Sequence, residues 1–431
     1  KAFIKATALV KLASAQANVE LGLLDRKRGL AIKKAALEVL SGGFDAEFIV
    51  DVYQAGAGTS HNMNANEVIA NRAVELLGGR RGDYSVVHPN DHVNMSQSTN
   101  DTMPAALRIA ALSTSEGLVI ALRALESALR RKSRAFDRVI KSGRTHLQDA
   151  VPIRLGQEFG SYASAVRGSA KRILEAGEGL KKIGLGATAV GTGINTHPGY
   201  RDAVLRALSK AAGIKGLKKA PDTFEALNSM ADFAHFSGAL RGAATELVRI
   251  ANDLRLLGSG PMTGLAEIRL PAVQPGSSIM PGKVNPVMAE MLGMVCFQVI
   301  GNDLAVTMAA QAGQLELNVM LPVINYNILQ SIEILSAAIT AFSERCVKGI
   351  EADTKRCLDF FEKSVGLATV LNPVIGYEKA AMVAKESART GKTVKEVVIG
   401  RGILSKAEWE RLLNPMSVTK PARIKAMKRK R

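Results

Sequence analysis

The 431-residue sequence is poor in aromatic residues, in cysteine and in long apolar runs. Only 4% of its residues are Phe, Trp or Tyr, too few for the interleaved aromatics on which single-stranded nucleic acid stacks. Cys296, Cys346 and Cys357 are odd in number and widely spaced, which argues against a disulfide framework or a zinc site. Polar residues interrupt the most apolar segment, 288–310, so we expect a buried helix there and no membrane span. These absences favour a reducing, cytoplasmic location.

Acidic residues are outnumbered by basic ones, 39 to 57, and the formal net charge is +18. The last twelve residues, 420–431, contain seven basic residues and no acidic one. Because this tail lacks aromatic residues, we interpret it as a frayed, solvated end and not as a nucleic-acid-binding arm. Removing it does not neutralise the protein, and the remaining positive charge suits attraction of a small dianionic substrate.

Helical spacing of apolar residues dominates the sequence, whereas strand patterns are scarce. The longest apolar stripes lie at 118–129, 240–257 and 328–346. Stripes of this length require several partner helices, so the pattern predicts an all-α fold with a central bundle of long helices. We predict three domains: an N-terminal domain at 1–98, whose upstream part we expect to be missing; the central bundle at 99–355; and a small C-terminal helical domain with the basic tail at 356–431.

Three polar blocks interrupt these stripes, each shortly before a proline. Their prolines are Pro104, Pro152 and Pro286. Proline favours the first turn of a helix, and helix N-termini carry unsatisfied N–H groups with partial positive charge. We therefore predict that each block ends at a helix start and that the three starts converge on an anion. Taken singly, the blocks at Ser98–Asp101 and at Asn285 are better explained as plain helix caps.

The segment Gly276–Pro286 reads Gly-Ser-Ser-Ile-Met-Pro-Gly-Lys-Val-Asn-Pro. Glycines near both ends permit hinge-like backbone angles, and two hydroxyls, one ammonium and loop N–H groups make a dense anion-binding surface. This composition predicts a mobile flap over a carboxylate substrate.

Together, these blocks resemble the fumarase/aspartase superfamily, whose members cleave C–N or C–O bonds of succinyl-type substrates and release fumarate. Gly276–Pro286 is similar to the superfamily signature. The other matching blocks are Gly56–Ser60, Ser96–Asp101, Gly143–Asp149 and Thr188–Asn195. The resemblance covers nearly the whole chain and implies a three-domain helical fold whose bundle core is shared in a homotetramer.

Two branches of the superfamily compete. Gln311–Met320 and the Thr99 that follows Ser98 are similar to aspartate ammonia-lyases, which implies reversible deamination of L-aspartate to fumarate and ammonia. The block Val87–Asp91 is similar to a second anion site of class II fumarases, which makes fumarate hydratase the alternative. The candidate residues of this second anion site are His88, Asn90 and Asp91. A non-catalytic or nucleic-acid-binding descendant is a more distant alternative.

The resemblance also implies residue roles. Ser277 is the expected general base, acting as an alkoxide that forms an enediolate (aci-carboxylate) from the substrate, and Glu290 is expected to hold His146 in one tautomer. The expected substrate-binding residues are Thr59, Ser98, Thr99 and Ser278 at the β-carboxylate, Thr145, Lys283 and Asn285 at the α-carboxylate, Asn100 near the amino group, and Thr188 and Asn195. No metal or organic cofactor is implied. The implied partners are a small dicarboxylate and copies of the chain itself, with sites shared between subunits, and no membrane.

Overall fold

The structure, a computed structural model, describes residues 1–54 and 56–421 and is predominantly helical. All of the basic tail beyond Pro421 lies outside the described residues, so its interpretation stays a prediction. The helices are α1 Ala2–Glu20, α2 Arg26–Leu40, α3 Thr59–Leu76, α4 Thr99–Ala135, α5 Leu155–Leu180, α6 Tyr200–Ala212, α7 Glu225–Asn228, α8 Ala231–Leu257, α9 Val287–Gln311, α10 Leu321–Arg345, α11 Thr354–Lys363, α12 Ala368–Ile375, α13 Tyr377–Thr390, α14 Val394–Gly400, α15 Lys406–Leu412 and α16 Pro415–Val418.

Six short strands form three two-stranded pairs within the described residues. The strands are β1 Ile140–Thr145, β2 Gln148–Arg154, β3 Lys182–Ile183, β4 Lys218–Lys219, β5 Ile268–Arg269 and β6 Glu351–Ala352. Strands β1 and β2 pair antiparallel as a hairpin, β3 and β4 pair parallel, and β5 and β6 pair antiparallel.

The predicted long helices are confirmed. Leu118, Leu122, Leu125 and Leu129 of α4 are fully buried, as an apolar stripe at helical spacing requires. The corresponding stripes of α8 and α10 are buried as well. The proline-free stretch after Asp222 is not one continuous helix, because Ser229 is extended and separates α7 from α8.

The chain divides into two compact units. Unit 1 comprises Lys1–Leu122, Gly168–Leu247 and Met294–Ala338. Unit 2 comprises Arg123–Arg167, Val248–Gly293 and the residues from Ile339 onward. These divisions fall within the long helices, whereas the three predicted domains divide the chain at 98 and 355; the three-domain division stays a prediction.

Small side chains pack the helices of unit 1 closely. One apolar cluster joins α1, α2 and α3, and a second joins α1, the start of α4 and α6, with alanine as the most frequent residue. Gly29 of α2 lies against α1 so closely that a Cβ at this position would be 2.1 Å from Val19 Cγ2. This packing positions the first turns of α3 and α4, which carry predicted site residues.

Unit 2 contains an apolar cluster of its own, formed by Ile140 of β1 and side chains of α11 to α15, including the single tryptophan, Trp409. Two C-terminal helices begin with capping boxes, at Thr393 with Glu396 and at Ser405 with Glu408. The cluster supports the β1–β2 hairpin from one side.

Among the described residues, α4 and α9 are long and apolar enough to cross a membrane by length and composition alone. In α4, 67% of the most apolar window is buried, which is typical of a core helix. In α9 only 33% is buried, so our expectation of a buried helix at 288–310 holds only in part within one chain. Asp303 of α9 is nevertheless buried, and its carboxylate lies 3.1 Å from Nη1 of Arg241, whose side chain is 55% exposed.

Candidate active site

In unit 1, the polar block at Ser98–Asp101 forms the start of α4. Ser98 caps the helix: its hydroxyl accepts from Asn100 N at 3.3 Å, and its backbone N–H donates to Asp101 Oδ1 at 3.0 Å. The prediction of a helix start is therefore confirmed here, and Pro104 lies in the second turn. Ser98, Thr99 and Asn100 are all partly exposed, so their side chains are available to a ligand.

Asp101 connects this turn to the loop that contains Thr188. Its Oδ2 accepts from Gly186 N and Thr188 N, both at 2.9 Å, and the side chain is buried. Desolvation raises the pKa of Asp101 to about 6, although the N–H groups of Ser98, Thr188 and Gly186 act in the opposite direction. Our site prediction omitted Asp101, although it lies within a matched block.

The loop 186–195 lies against the start of α4. Asn100 Nδ2 donates to Ala189 O at 2.7 Å, so two adjacent residues of α4 hold this loop. Thr188 has a φ of 57° and a buried Oγ1 without a hydrogen-bond partner in the described part of the chain. Asn195, with a φ of 64°, is exposed. An unpaired buried hydroxyl and positive φ values are typical of functional loops.

Two helix starts, those of α3 and α4, meet in unit 1. The α3 start is not among the three starts predicted to converge, so that convergence stays a prediction. Asn62 in the first turn of α3 donates to Thr99 Oγ1 at 3.1 Å. A Cβ on Gly58, which precedes α3, would lie 3.2 Å from Met103 Cγ of α4. Thr59, the first residue of α3, is exposed, and its hydroxyl donates to Gly56 O at 2.6 Å. The N–H groups of both helix starts can therefore stabilise an anion beside Thr59 and Thr99.

The predicted second anion site, at His88, Asn90 and Asp91, is a single turn of π-helix, Pro89–Val93. His88 caps it, because its Nδ1 accepts from Asn90 N and Asp91 N, both at 3.2 Å. The backbone N–H groups of this turn are thus directed at a ring nitrogen of the same chain. Asn90 and Asp91 are exposed, and an anion-binding role for the three residues stays a prediction.

In unit 2, the polar block Thr145–Asp149 is the tip of the β1–β2 hairpin, so the predicted helix start before Pro152 is wrong. Thr145 pairs with Gln148 across a two-residue turn in which His146 and Leu147 have φ values of 55° and 59°. Positive φ at both turn residues matches the twist of the strands, but it is uncommon for residues other than Gly, Asn and Asp. Pro152 belongs to β2, opposite Ser142. The hairpin presents Thr145 and His146 to solvent.

Buried charges support the base of this hairpin. Glu267, fully buried, lies 2.7 Å from Lys141 Nζ and 2.9 Å from Arg144 Nη1. Lys141 Nζ also donates to Glu158 of α5 at 2.9 Å, and desolvation raises the pKa of Glu158. Lys141 and Arg144 belong to β1, so the cluster fixes the strand that leads to Thr145 and His146.

The flap has a closed neck. Gly276 N donates to Lys283 O at 2.9 Å, and Asn285 Nδ2 donates to Gly276 O at 2.7 Å. A Cβ on Gly276 would be 2.3 Å from Lys283 O, so only glycine fits this crossing. Helix α9 begins directly after Pro286, which confirms that prediction.

Ser277 sits within the flap with two backbone donors on its hydroxyl. Ile279 N and Met280 N donate to Ser277 Oγ at 3.2 Å and 3.0 Å. Two N–H groups aimed at one oxygen stabilise negative charge on it. Ser278 and Lys283 are exposed, and the Lys283 ammonium makes no ion pair within the described residues.

Glu290 lies in the first turn of α9, where its Oε1 is 3.7 Å from Arg255 Nη2. Within the described part of one chain, no hydrogen bond joins Glu290 to His146, nor either of them to Ser277. Their predicted relationship therefore stays a prediction. The described residues also contain no group of three or more His, Cys, Asp or Glu side chains able to hold a metal ion.

Sequence reasoning also missed Lys11 and Asn62, which lie beneath the Ser98–Asn100 turn. Lys11 Nζ donates to Asn94 Oδ1 and Gln97 Oε1, each at 2.9 Å. A signal was present, since Lys11 is the one charged residue in the apolar stretch 6–15 of α1. An isolated charge on an apolar face indicates a specific buried partner.

Comparison with known proteins agrees with these blocks. Residues 1–301 match a family model described as "Lyase", and residues 367–420 match one described as "Fumarase C C-terminus". The chain is 49% identical to an aspartate ammonia-lyase of Bacillus subtilis, over 97% of this chain and 88% of that protein. It is also 49% identical to a class II fumarate hydratase of Bradyrhizobium diazoefficiens, over 97% and 88%.

Among solved structures, the chain is similar to a fumarate lyase:delta crystallin from Brucella melitensis bound to cobalt. The TM-score is 0.95 at 51% identity, covering 97% of this chain and 91% of that one. Family models cover most of the sequence, and the helical fold with its flap, hairpin and helix starts agrees with them. The chain therefore belongs to the lyase family and is an enzyme of the fumarase/aspartase superfamily.

Proposed function

We propose that the protein is an aspartate ammonia-lyase that interconverts L-aspartate with fumarate and ammonia. The main support for the proposal is the geometry of Ser277. Its Oγ accepts from two backbone N–H groups inside a flap that is closed at Gly276. Deprotonating the weakly acidic C3 of aspartate requires a strong base and stabilisation of the dianionic product. Donors directed at Ser277 Oγ support its action as an alkoxide.

The proton and electrons move as follows. Ser277 Oγ takes the C3 proton, and the C3–H electrons are delocalised into the β-carboxylate as an aci-carboxylate. These electrons then form the C2=C3 double bond of fumarate, while the C2–N bond breaks and its electron pair leaves with ammonia. The protonated Ser277 returns its proton to solvent.

The remaining residues hold the two carboxylates and the leaving group. The helix starts at Thr59 and Thr99, with Ser98 and Ser278, suit the doubly negative aci-carboxylate. We assign Thr145, Lys283 and Asn285 to the α-carboxylate. Asn285 also closes the flap neck, so it positions the loop as well. We assign Asn100 and His146 to binding the amino group, and Glu290 to orienting His146. We assign Thr188 and Asn195 to the edge of the substrate-binding site.

We further propose a cytoplasmic homotetramer in which residues of different subunits complete each site. Along α9, Met294, Phe297, Leu304 and Met308 are 56–65% exposed in a single chain, at spacings that place them in one stripe. An apolar stripe of this size is typical of an interface, and packing against other copies covers it.

One alternative is a class II fumarase that interconverts malate and fumarate. The block at His88, Asn90 and Asp91 and the similarity to fumarate hydratases favour it. The Thr99 that follows Ser98 favours deamination, which is why we put aspartate first. A nucleic-acid-binding role would depend on the basic tail, and salt-sensitive DNA binding that disappears without residues 420–431 would support it.

The decisive experiment follows fumarate absorbance with L-aspartate and L-malate supplied separately. We expect turnover of aspartate alone, and loss of turnover in Ser277→Ala with the oligomer intact. Ser161→Ala is a matched control, because Ser161 is an exposed serine of unit 2 whose hydroxyl, within the described residues, bonds only to its own helix. Turnover of malate instead would assign the protein to the fumarases, and an active Ser277→Ala enzyme would exclude Ser277 as the base.

A further inference from the structure

Lys11 is a buried cation that forms no ion pair in the described part of the chain, although the Asp101 carboxylate lies near enough to interact with it. Its side chain is fully buried in α1, and no carboxylate forms an ion pair with it in the described part of the chain. Desolvation lowers the pKa of Lys11 to about 7, against the opposing effect of Asp101. Burying an ammonium without a close ion pair is unfavourable. Stability alone therefore does not account for Lys11.

The hydrogen bonds of Lys11 lead to the predicted substrate-binding turn. Lys11 donates to Asn94 Oδ1 at 2.9 Å, and the same oxygen accepts from Asn62 Nδ2 at 3.3 Å. Asn62 Nδ2 in turn donates to Thr99 Oγ1 at 3.1 Å. Three hydrogen bonds through two side chains thus connect the buried ammonium with a hydroxyl at the start of α4.

The ammonium determines the direction of this chain of bonds. Below pH 7 the ammonium form of Lys11 dominates, and an ammonium only donates, so Asn94 must present its oxygen to it. That oxygen then requires donors, and the amide NH₂ groups of Asn62 and Asn66 both face it. The side-chain oxygens of Asn62 and Asn66 are left buried without a partner among the described residues, which is unfavourable. The arrangement fixes one orientation of the amides although it leaves these oxygens unsatisfied.

We propose that Lys11 is a positioning residue that keeps the hydroxyl hydrogen of Thr99 free to bind a substrate carboxylate. Because Thr99 Oγ1 accepts from Asn62, its own O–H is left to donate elsewhere. Without Lys11, the side-chain amides of Asn94 and Asn62 can rotate so that their oxygen and NH₂ positions are exchanged. Thr99 then donates its hydroxyl hydrogen to Asn62 Oδ1 and not to a ligand. The inference rests on the proposed dicarboxylate binding by Thr99.

Calorimetry with succinate, a dicarboxylate without a leaving group, measures this effect apart from turnover. We expect Lys11→Met to weaken succinate binding about 10-fold, equivalent to about 1.4 kcal/mol, with an unchanged or higher melting temperature. In a Thr99→Val background, which has no hydroxyl, the same substitution should change the dissociation constant less than about 2-fold. Lys11→Gln, which keeps a donor but adds an acceptor, should give a smaller loss and serves if Lys11→Met does not fold.

Arg108→Met is the matched control. Arg108 is also a buried cation of unit 1, but it bonds to Asp232 and to Gly179 O. We expect this variant to lower the melting temperature and to leave succinate affinity within about 2-fold of the parent.

Four results would overturn the inference: parent-like affinity in Lys11→Met, additive effects of Lys11→Met and Thr99→Val, equal weakening by Arg108→Met, or a parent protein that does not bind succinate. The last result would also reject the dicarboxylate proposal. A parent that binds succinate but converts malate contradicts only the assignment to aspartate and leaves the role of Lys11 standing.

Discussion

Glu267→Gln is the most informative test of how the hairpin tip is held in place. In the parent, Glu267 balances Lys141 and Arg144, and Glu158 supplies a second negative charge. The substitution keeps the shape of the side chain but removes one negative charge. A neutral cluster of two cations and two anions becomes a cluster with an uncompensated positive charge.

The burial of the partners sets the size of the effect. Lys141 is 1% exposed but retains Glu158, whereas Arg144 is 16% exposed and loses the one carboxylate that pairs with it among the described residues. Breaking a buried ion pair costs about 3–5 kcal/mol, and the partial exposure of Arg144 favours the lower end. At about 2.1 cal/mol/K per residue, whole-chain unfolding has an entropy near 0.9 kcal/mol/K, so a loss of about 3 kcal/mol lowers the melting temperature by about 3 °C.

Thermal unfolding followed by circular dichroism measures this shift. Glu344→Gln is the matched control, because Glu344 forms an exposed ion pair with Lys348 and its loss should cost less than about 0.5 kcal/mol. A second variant, Glu267→Leu combined with Arg144→Met, should be more stable than Glu267→Leu alone, since it removes the unpaired cation. Equal melting temperatures for Glu267→Gln and Glu344→Gln would refute the stabilising role of the buried cluster.

Two further predictions concern other parts of the chain. Desolvation lowers the pKa of His61 from 6.5 to about 4. The contribution of His61 to stability is therefore present above pH 6.5 and is lost as pH falls through 4. His61→Gln should remove about 3 kcal/mol of this acid sensitivity, which is measured as melting temperature against pH. Phe297→Glu should place a charge on the exposed stripe of α9 and dissociate the proposed tetramer, which light scattering detects; an intact tetramer would place the interface elsewhere.

Much of this architecture could be predicted because the helices are long. An apolar stripe of several turns, such as Leu118 to Leu129, is unambiguous at helical spacing, and its burial followed directly. Two of the three predicted helix starts were also correct, since Ser98 and Pro286 stand where capping residues and helix-initiating prolines are expected.

The β1–β2 hairpin could not be predicted for equally physical reasons. Its strands have six and seven residues, and its turn contains His146 and Leu147 in place of the Asn-Gly or Asp-Gly pairs that usually mark such turns. The extent to which α9 is buried within one chain could not be predicted either. A helix that is apolar on all sides does not reveal whether its own chain or another copy covers it. The importance of Lys11 likewise depends on Asn62 and Asn94, which are distant in sequence.

Hydrogen bonds hold the neck of the flap together, so cutting the chain within the flap need not unfold the protein. Gly276 and Lys283 are joined by a backbone hydrogen bond, while Ile279 at the tip is 83% exposed and Lys283 itself is exposed. A protease that cuts after Lys283 would therefore sever the chain at a point where few packed side chains are lost. Asn285 Nδ2 still donates to Gly276 O in the nicked protein, which should therefore hold together and melt normally. Lys283, now at a chain end, is no longer joined covalently to α9, so limited trypsin digestion should reduce catalysis without unfolding the enzyme.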